Sequence, residues 1–323
     1  MNKKLLFFLM LSFIEGGAVM AAELLGAKLL APFFGSSLYV WSSVMAVTLL
    51  GLASGYFVGG VVSTKANLER RLYLILVIGA IVIAVMPFSV QFCFALFSQM
   101  NLLPSVILSS VFLLVPPVFF MGMVSPLIIK LIDGFISNPG KSSGTVYAIS
   151  TVGGILATFS FGFIVIPKFG LVMPCVATAF VLGIIPSIML IRGKSIMPFT
   201  LLFALWFSIK SSEIQGKSTS RIKVLEISEG ILGQLLVVDL PNDYYFNDST
   251  KKNQYSRWLF VNRTSQTYDD KYADPKKGEE RYFTYVYKIE KALDTLAQGK
   301  KILLLGLGGG AVVNHLSQCG YSF

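Results

Sequence analysis

Six stretches of this chain are each long and apolar enough to cross a bilayer, and that rules out a single water-soluble core. They fall at about 5–27, 38–62, 72–97, 105–129, 145–166 and 171–191, against about 20 residues for one helical span. Hydrocarbon offers no partner for a bare peptide group, so each run must satisfy its backbone internally, as a helix. A seventh run, 196–209, is shorter and fits either a short span or a segment lying in the interface. The chain therefore reads as a polytopic helical bundle over residues 1–209, followed by something of different character.

Charge marks the same boundary. Residues 1–209 hold 11 Lys/Arg and 4 Asp/Glu, whereas 210–323 hold 16 and 13, which together make the net +10. In the first part the basic residues sit in short loops. Lys3 and Lys4 precede the first run, Lys65, Arg70 and Arg71 follow the second, Lys130 and Lys141 the fourth, and Arg192 and Lys194 the sixth. The alternate loops carry little beyond Lys168. Positive loops stay inside, so the expectation is a multi-pass protein of the cell (inner) membrane with a cytoplasmic N-terminus. Six spans then put the second part in the cytoplasm and seven put it outside; the shortness of 196–209 favours six. Basic and aromatic residues do not interleave on a soluble element, so no nucleic-acid partner is expected. A cleaved leader is the competing account of the first run, with Val19–Ala22 as its cleavage site, but Glu15 and Gly16-Gly17 fit a leader poorly.

Within the apolar part, a few residues break the pattern. Glu15 and Glu23 lie in or at the end of the first run. A charge in lipid costs about 3 kcal/mol on insertion scales, so such a group usually faces protein or water and marks a site. The plainer role for Glu23 is an interfacial partner for Lys28. Gly51, Gly55 and Gly59 recur every fourth residue and share one helical face. This predicts close packing against a neighbouring helix rather than a transport pathway. Gly153-Gly154 and Gly162 suggest the same in the fifth run, while Pro116-Pro117 and Pro126 predict a bend or break in the fourth.

From about residue 210 the texture changes. Arg221–Ser228, Leu232–Leu240 and Trp258–Asn262 are β-rich and predict a small antiparallel sheet within a domain over 210–300. Arg281–Ala297 has helical character, with Tyr282, Tyr285, Ile289, Leu293 and Leu296 near one face. Then Ile302–Leu305 reads as a strand running into Gly306-Leu307-Gly308-Gly309-Gly310 and a helix. Glycines there let a backbone turn tightly and approach a ligand closely. Strand, glycine turn and helix together predict, over 301–323, the start of a Rossmann-like α/β domain. Gly306, Gly308 and Gly310 are its candidate nucleotide contacts. The turn alone does not choose between a dinucleotide and an adenosyl ligand, because the discriminating acid falls about 20 positions on.

These segments, taken in order, resemble the spermidine synthase family of aminopropyltransferases. The likeness runs through Gly230–Val238, Leu259–Gln266, the tyrosine-bearing helix and the glycine turn. The apolar part is similar to that of multi-pass spermidine-synthase-like proteins, above all in Met20–Ser37, Gly51–Gly60 and Met121–Pro126. The resemblance implies that decarboxylated S-adenosylmethionine is a co-substrate, with no cofactor held permanently, and that a polyamine accepts the aminopropyl group. It places Gln234 against the nucleoside, and Gln266 and Tyr285 at the polyamine, with Tyr282 a close second. Asn262 and Arg263 stand where the family has Asp-Gly, Val286 and Tyr287 where it has His-Glu, and Gly309 where soluble members carry Asp. The expected ribose acid and amine-deprotonating Asp would follow Phe323, so a truncated and inactive chain is the expectation and no catalytic residue is assigned. The rival reading is a small-molecule transporter or membrane sensor with a ligand-binding soluble domain. Cys93, Cys175, Cys319, the single His315 and scattered carboxylates show no metal-ligand spacing, so no metal is expected. Besides the lipid bilayer, a homo-oligomeric partner is left open.

Overall fold

A computed structural model describes residues 3–35, 37–97, 99–136, 138–215, 222–230, 233–242, 254–261, 264–274, 279–296 and 303–321. They form two compact units, the first mainly residues 1–215 and the second mainly 216–228 with 233–323.

In the first unit, every long apolar run is a helix. α1 is Lys3–Phe34, α2 Leu38–Ser63, α3 Leu68–Phe97 and α4 Leu102–Gly122. After a break at Met123, α5 (Val124–Ile132) completes the fourth span. α6 (Pro139–Ser160) runs through a π-helical stretch, Phe161–Val165, into α7 (Ile166–Phe169), and α8 is Val172–Arg192. Among the described residues, six helical segments are long and apolar enough to cross a bilayer, which makes this a multi-pass membrane protein. α9 (Met197–Gln215) is apolar only over Met197–Lys210. It nonetheless packs by one face against α3 and α8: Leu201, Ala204 and Leu205 are buried, and Ser208 Oγ donates to the Ala84 carbonyl, near the middle of α3, at 2.8 Å, while Phe199, Leu202, Phe203 and Trp206 stay exposed.

Glycine sets how closely these helices approach. A Cβ at Gly55 would strike the Phe119 carbonyl oxygen, and one at Gly59 would lie 2.7 Å from Met123 Cα. Gly51 faces Val118 at 3.2 Å. All three positions predicted to share a face thus meet the C-terminal half of α4, Gly51 within the helix and Gly55 and Gly59 at its end and at the break before α5. The crossing of α1 with α6 is of the same kind. Gly16 faces the Ser150 backbone and Gly153 the Phe13 carbonyl, with no room for a side chain on either. Gly162 has no neighbour within 4 Å and takes no part in packing. Asn138 caps α6 by accepting from the backbone N–H groups of Gly140 and Lys141, at 3.0 and 3.3 Å.

The second unit contains a four-stranded antiparallel sheet in chain order: β1 Lys223–Gly230, β2 Gly233–Pro241, β3 Tyr255–Val261 and β4 Thr264–Asp269. Alternating side chains bury Val238, Leu240, Trp258 and Tyr268 on one face, with Phe283 packed on them. The fourth strand begins in the segment read as a motif rather than as an element. α10 (Thr284–Leu296) and α11 (Ala311–Gln318) follow. The strand expected at Ile302–Leu305 does not form over its described part. Residues 303–307 are irregular, and Leu303 and Leu305 are 81% and 84% exposed. A strand of that composition needs parallel neighbours to bury both faces, and the described sheet holds four strands without it. Ile302, like Ile231-Leu232 and Asn262-Arg263, lies outside the described residues.

Candidate functional site

Two regions concentrate polar groups, one in each unit. In the membrane unit, Glu15 is almost wholly buried, 2% exposed, at the crossing of α1 with α6. The Gly16 contact brings α6 close enough for Ser150 Oγ to donate to Glu15 Oε2 at 3.2 Å. One turn earlier, Ser12 Oγ donates to the Val146 carbonyl at 3.1 Å, so the two helices ascend together. Beside Glu15 is a cavity of about 300 Å³ lined also by Tyr56, Thr151 and Thr158. Tyr56 is held edge-on to Tyr147, ring centroids 6.2 Å apart. The lining thus sets one carboxyl group, an aromatic face and hydroxyls among apolar side chains such as Val19, Leu52 and Phe159. Glu23, the other acid of this run, is only partly buried and does not line this cavity.

In the second unit, the glycine turn takes the strained form that its residues permit. Gly306, Gly308 and Gly310 have φ of 93°, 54° and 76°, in the left-handed region that side chains avoid. Gly310 precedes α11, and its carbonyl accepts the first helical bond, from Asn314 N at 2.9 Å. Gly309 N donates to Thr267 Oγ1 at 2.8 Å, which ties the turn to β4. A Cβ at Gly309 would lie 2.5–2.9 Å from the atoms of Thr267, so the aspartate expected from the soluble family has no space here.

The other candidates are dispersed. Gln234, half-buried, opens the described side-chain run of β2, and Gln266, exposed, lies on β4. With β3 between them, they lie two strands apart and out of level along the sheet. Thr267 pairs with Leu259 but Ser265 pairs with Phe260, so Gln266 is the extra residue of a bulge that turns it out of the ladder. Tyr285, 45% exposed, stacks on Phe283 at the start of α10. Tyr282 precedes that helix and is the buried tyrosine, packed with Val286 and Ala311 and capped by the Arg281 guanidinium 5.1 Å from its ring centroid. Arg281 also forms a bidentate pair with Asp269, at 2.6 and 3.3 Å, which holds it above its usual range. Tyr287 accepts backbone N–H bonds from Arg281 and Tyr282 at 2.9 and 3.3 Å. The structure thus joins the turn to β4 and to the Tyr282–Tyr287 segment, through α11, without gathering Gln234, Gln266 and Tyr285 around it.

A further cluster joins residues that spacing alone had not linked. His315 and Cys319, four apart at the end of α11, meet Glu290 of α10. The signal was the one-turn separation of His and Cys, but its partner comes from another element and only the fold supplies it.

Comparison with family models, with curated proteins and with solved structures finds no match for the chain.

Proposed function

We propose that this is a spermidine-synthase-like protein of the cell membrane, its N-terminus cytoplasmic. On this reading the extramembrane unit binds an adenosyl sulfonium, decarboxylated S-adenosylmethionine, for transfer of an aminopropyl group to a polyamine. The observation carrying the reading is the left-handed turn Gly306–Gly310, opening a helix and tied to β4 by Thr267. Free of side chains at three positions, it lets an adenosyl group approach the backbone, with Gln234 assigned to the nucleoside and Gln266 and Tyr285 to the polyamine. In the reaction the amine nitrogen forms a bond to the carbon on the sulfonium, that carbon–sulfur bond breaks, and methylthioadenosine and a proton leave. Calorimetry of the purified chain with methylthioadenosine tests the reading. Binding lost on Gly308→Val supports it, because valine resists the left-handed backbone, whereas no binding by the unaltered chain overturns it. The donor is cytoplasmic, so a Tyr272→Cys chain otherwise free of cysteine should resist an impermeant maleimide in intact cells.

A second reading rests on a different observation, the buried Glu15 beside its 300 Å³ cavity. There the bundle binds a small organic cation, for sensing or transport, with Glu15 as counter-charge and Tyr56 as aromatic wall. Equilibrium dialysis with putrescine tests it. Glu15→Gln keeps an acceptor for Ser150 but loses the charge, and should abolish binding; equal binding by the variant sinks this reading.

A further inference from the structure

The Glu290–His315–Cys319 cluster belongs to neither reading. α10 and α11 pack side by side and each turns one polar edge to the other. His315 Nε2 lies 2.7 Å from Glu290 Oε2, and Cys319 Sγ lies 3.0 Å from Glu290 Oε1. The sulfur is 3.9 Å from the imidazole nitrogen. All three donor atoms fall within 4.8 Å of one another. We propose that Glu290, His315 and Cys319 form a binding site for one transition-metal ion, zinc(II) foremost, which clasps α10 to α11.

Donor chemistry and spacing point the same way. Thiolate, imidazole and carboxylate are the three ligand types zinc takes, at about 2.3, 2.0 and 2.1 Å. Around a tetrahedral ion those bonds put donor atoms roughly 3.2–3.6 Å apart. The observed separations of 2.7, 3.0 and 3.9 Å straddle that range, so sub-ångström shifts admit the ion. The ligands are also partly fixed beforehand. His315 is half-buried and meets Tyr287 edge to face, ring centroids 4.6 Å apart, with 13% of its side chain exposed. His315 and Cys319 are one turn apart and so share one helical face, a pairing that becomes a ligand set only when the fold adds Glu290. Asp294, a turn beyond Glu290, is engaged instead by the Tyr321 hydroxyl. That leaves three protein ligands and a fourth position for water, the pattern of an exchangeable rather than a closed zinc site.

A reactive thiol is the competing account, and the electrostatics oppose it. Nucleophilic cysteines sit beside cations that lower their pKa. Here the hydrogen bond to the Glu290 carboxylate pushes the Cys319 thiol up, while the same bond and that to His315 pull Glu290 down. A divalent cation reverses this. It takes the Cys319 sulfur as thiolate, the thiol proton passes to solvent, and the acid becomes a ligand rather than an acceptor.

Cobalt(II) is the probe, titrated into the full chain in detergent. One equivalent should bind and give a thiolate-to-cobalt charge-transfer band with tetrahedral visible absorption, displaced by zinc. That band can be assigned, because the other two cysteines, Cys93 and Cys175, are buried in the membrane unit. Cys319→Ser should abolish it. His315→Ala and Glu290→Gln should each weaken cobalt by more than the roughly 10–100-fold that loss of an outer-shell partner costs. No uptake by the unaltered chain overturns the proposal, as does uptake that persists unchanged in a Cys319→Ser, His315→Ala double variant. Cys319 is exposed, so its serine variant is expected to keep the helical circular dichroism of the parent.

Discussion

Replacing Gly55 by alanine adds one methyl group at the tightest point between α2 and α4. The new Cβ would strike the Phe119 carbonyl oxygen and lie 3.0 Å from Gly122 Cα. Both are backbone atoms, so no rotamer change relieves the contact and the helices must move apart. Two effects oppose each other. Alanine is the better helix former by about 0.8–1 kcal/mol in aqueous hosts. Overpacking a close contact costs about 1–3 kcal/mol. Separation here also loosens Gly51 against Val118 and Gly59 against Met123, on the same face. The clash should win, for a net loss of about 1–2 kcal/mol, and Gly55→Leu should lose more. Gly60→Ala is the control, since no atom lies within 4 Å of a Cβ at that neighbouring glycine. It keeps the propensity gain and meets no clash. Unfolding in mixed micelles of rising SDS fraction, followed by circular dichroism, reads both. Equal stability of Gly55→Ala and the parent, or an equal loss in Gly60→Ala, would refute the close-approach argument.

Three further outcomes are expected of the second unit. Trp258→Ala removes the ring that packs Phe260, Tyr268 and Phe283 at 5.9, 4.8 and 5.8 Å. It should cost about 3–5 kcal/mol, visible as early loss of sheet structure in urea while the membrane helices persist. Burial, and then the adjacent Asp270 carboxylate, hold the Tyr268 phenol above its ordinary 10.0. Its contribution is therefore complete below pH 10.0, and declines above it by up to about 1.4 kcal/mol per pH unit, as the unfolded chain ionises first. Urea midpoints between pH 9 and 11 should show that decline, and Tyr268→Phe should reduce it, leaving the smaller part due to Tyr282 and Tyr321. Gly309→Ala crowds Thr267, and should weaken methylthioadenosine binding in the same calorimetric titration. Thr267→Ala should restore part of the loss by clearing space, and a double variant no better than Gly309→Ala would place the effect elsewhere.

The membrane architecture was legible in the sequence because its cause is local. A run of apolar residues in hydrocarbon has only the helix available, so length and composition place every span. The spacing of Gly51, Gly55 and Gly59 was informative for a similar reason, since small residues at one helical period leave a groove whatever fills it. Pro126 likewise foretold the break at Met123, whereas α4 runs on as helix through Pro116-Pro117. Tertiary structure decided what depends on a partner. It chose α4 for the glycine face, Ser150 for Glu15, and α3 with α8 for the buried face of α9. It left Leu303–Leu305 irregular, although their composition suits a strand, because a strand exists only beside another. It placed Tyr282 inside and Tyr285 outside, because the chain enters α10 two residues after Tyr282. It also joined Glu290 to His315 and Cys319 across 25 and 29 positions, a distance over which periodicity carries no signal and only packing brings donor atoms together.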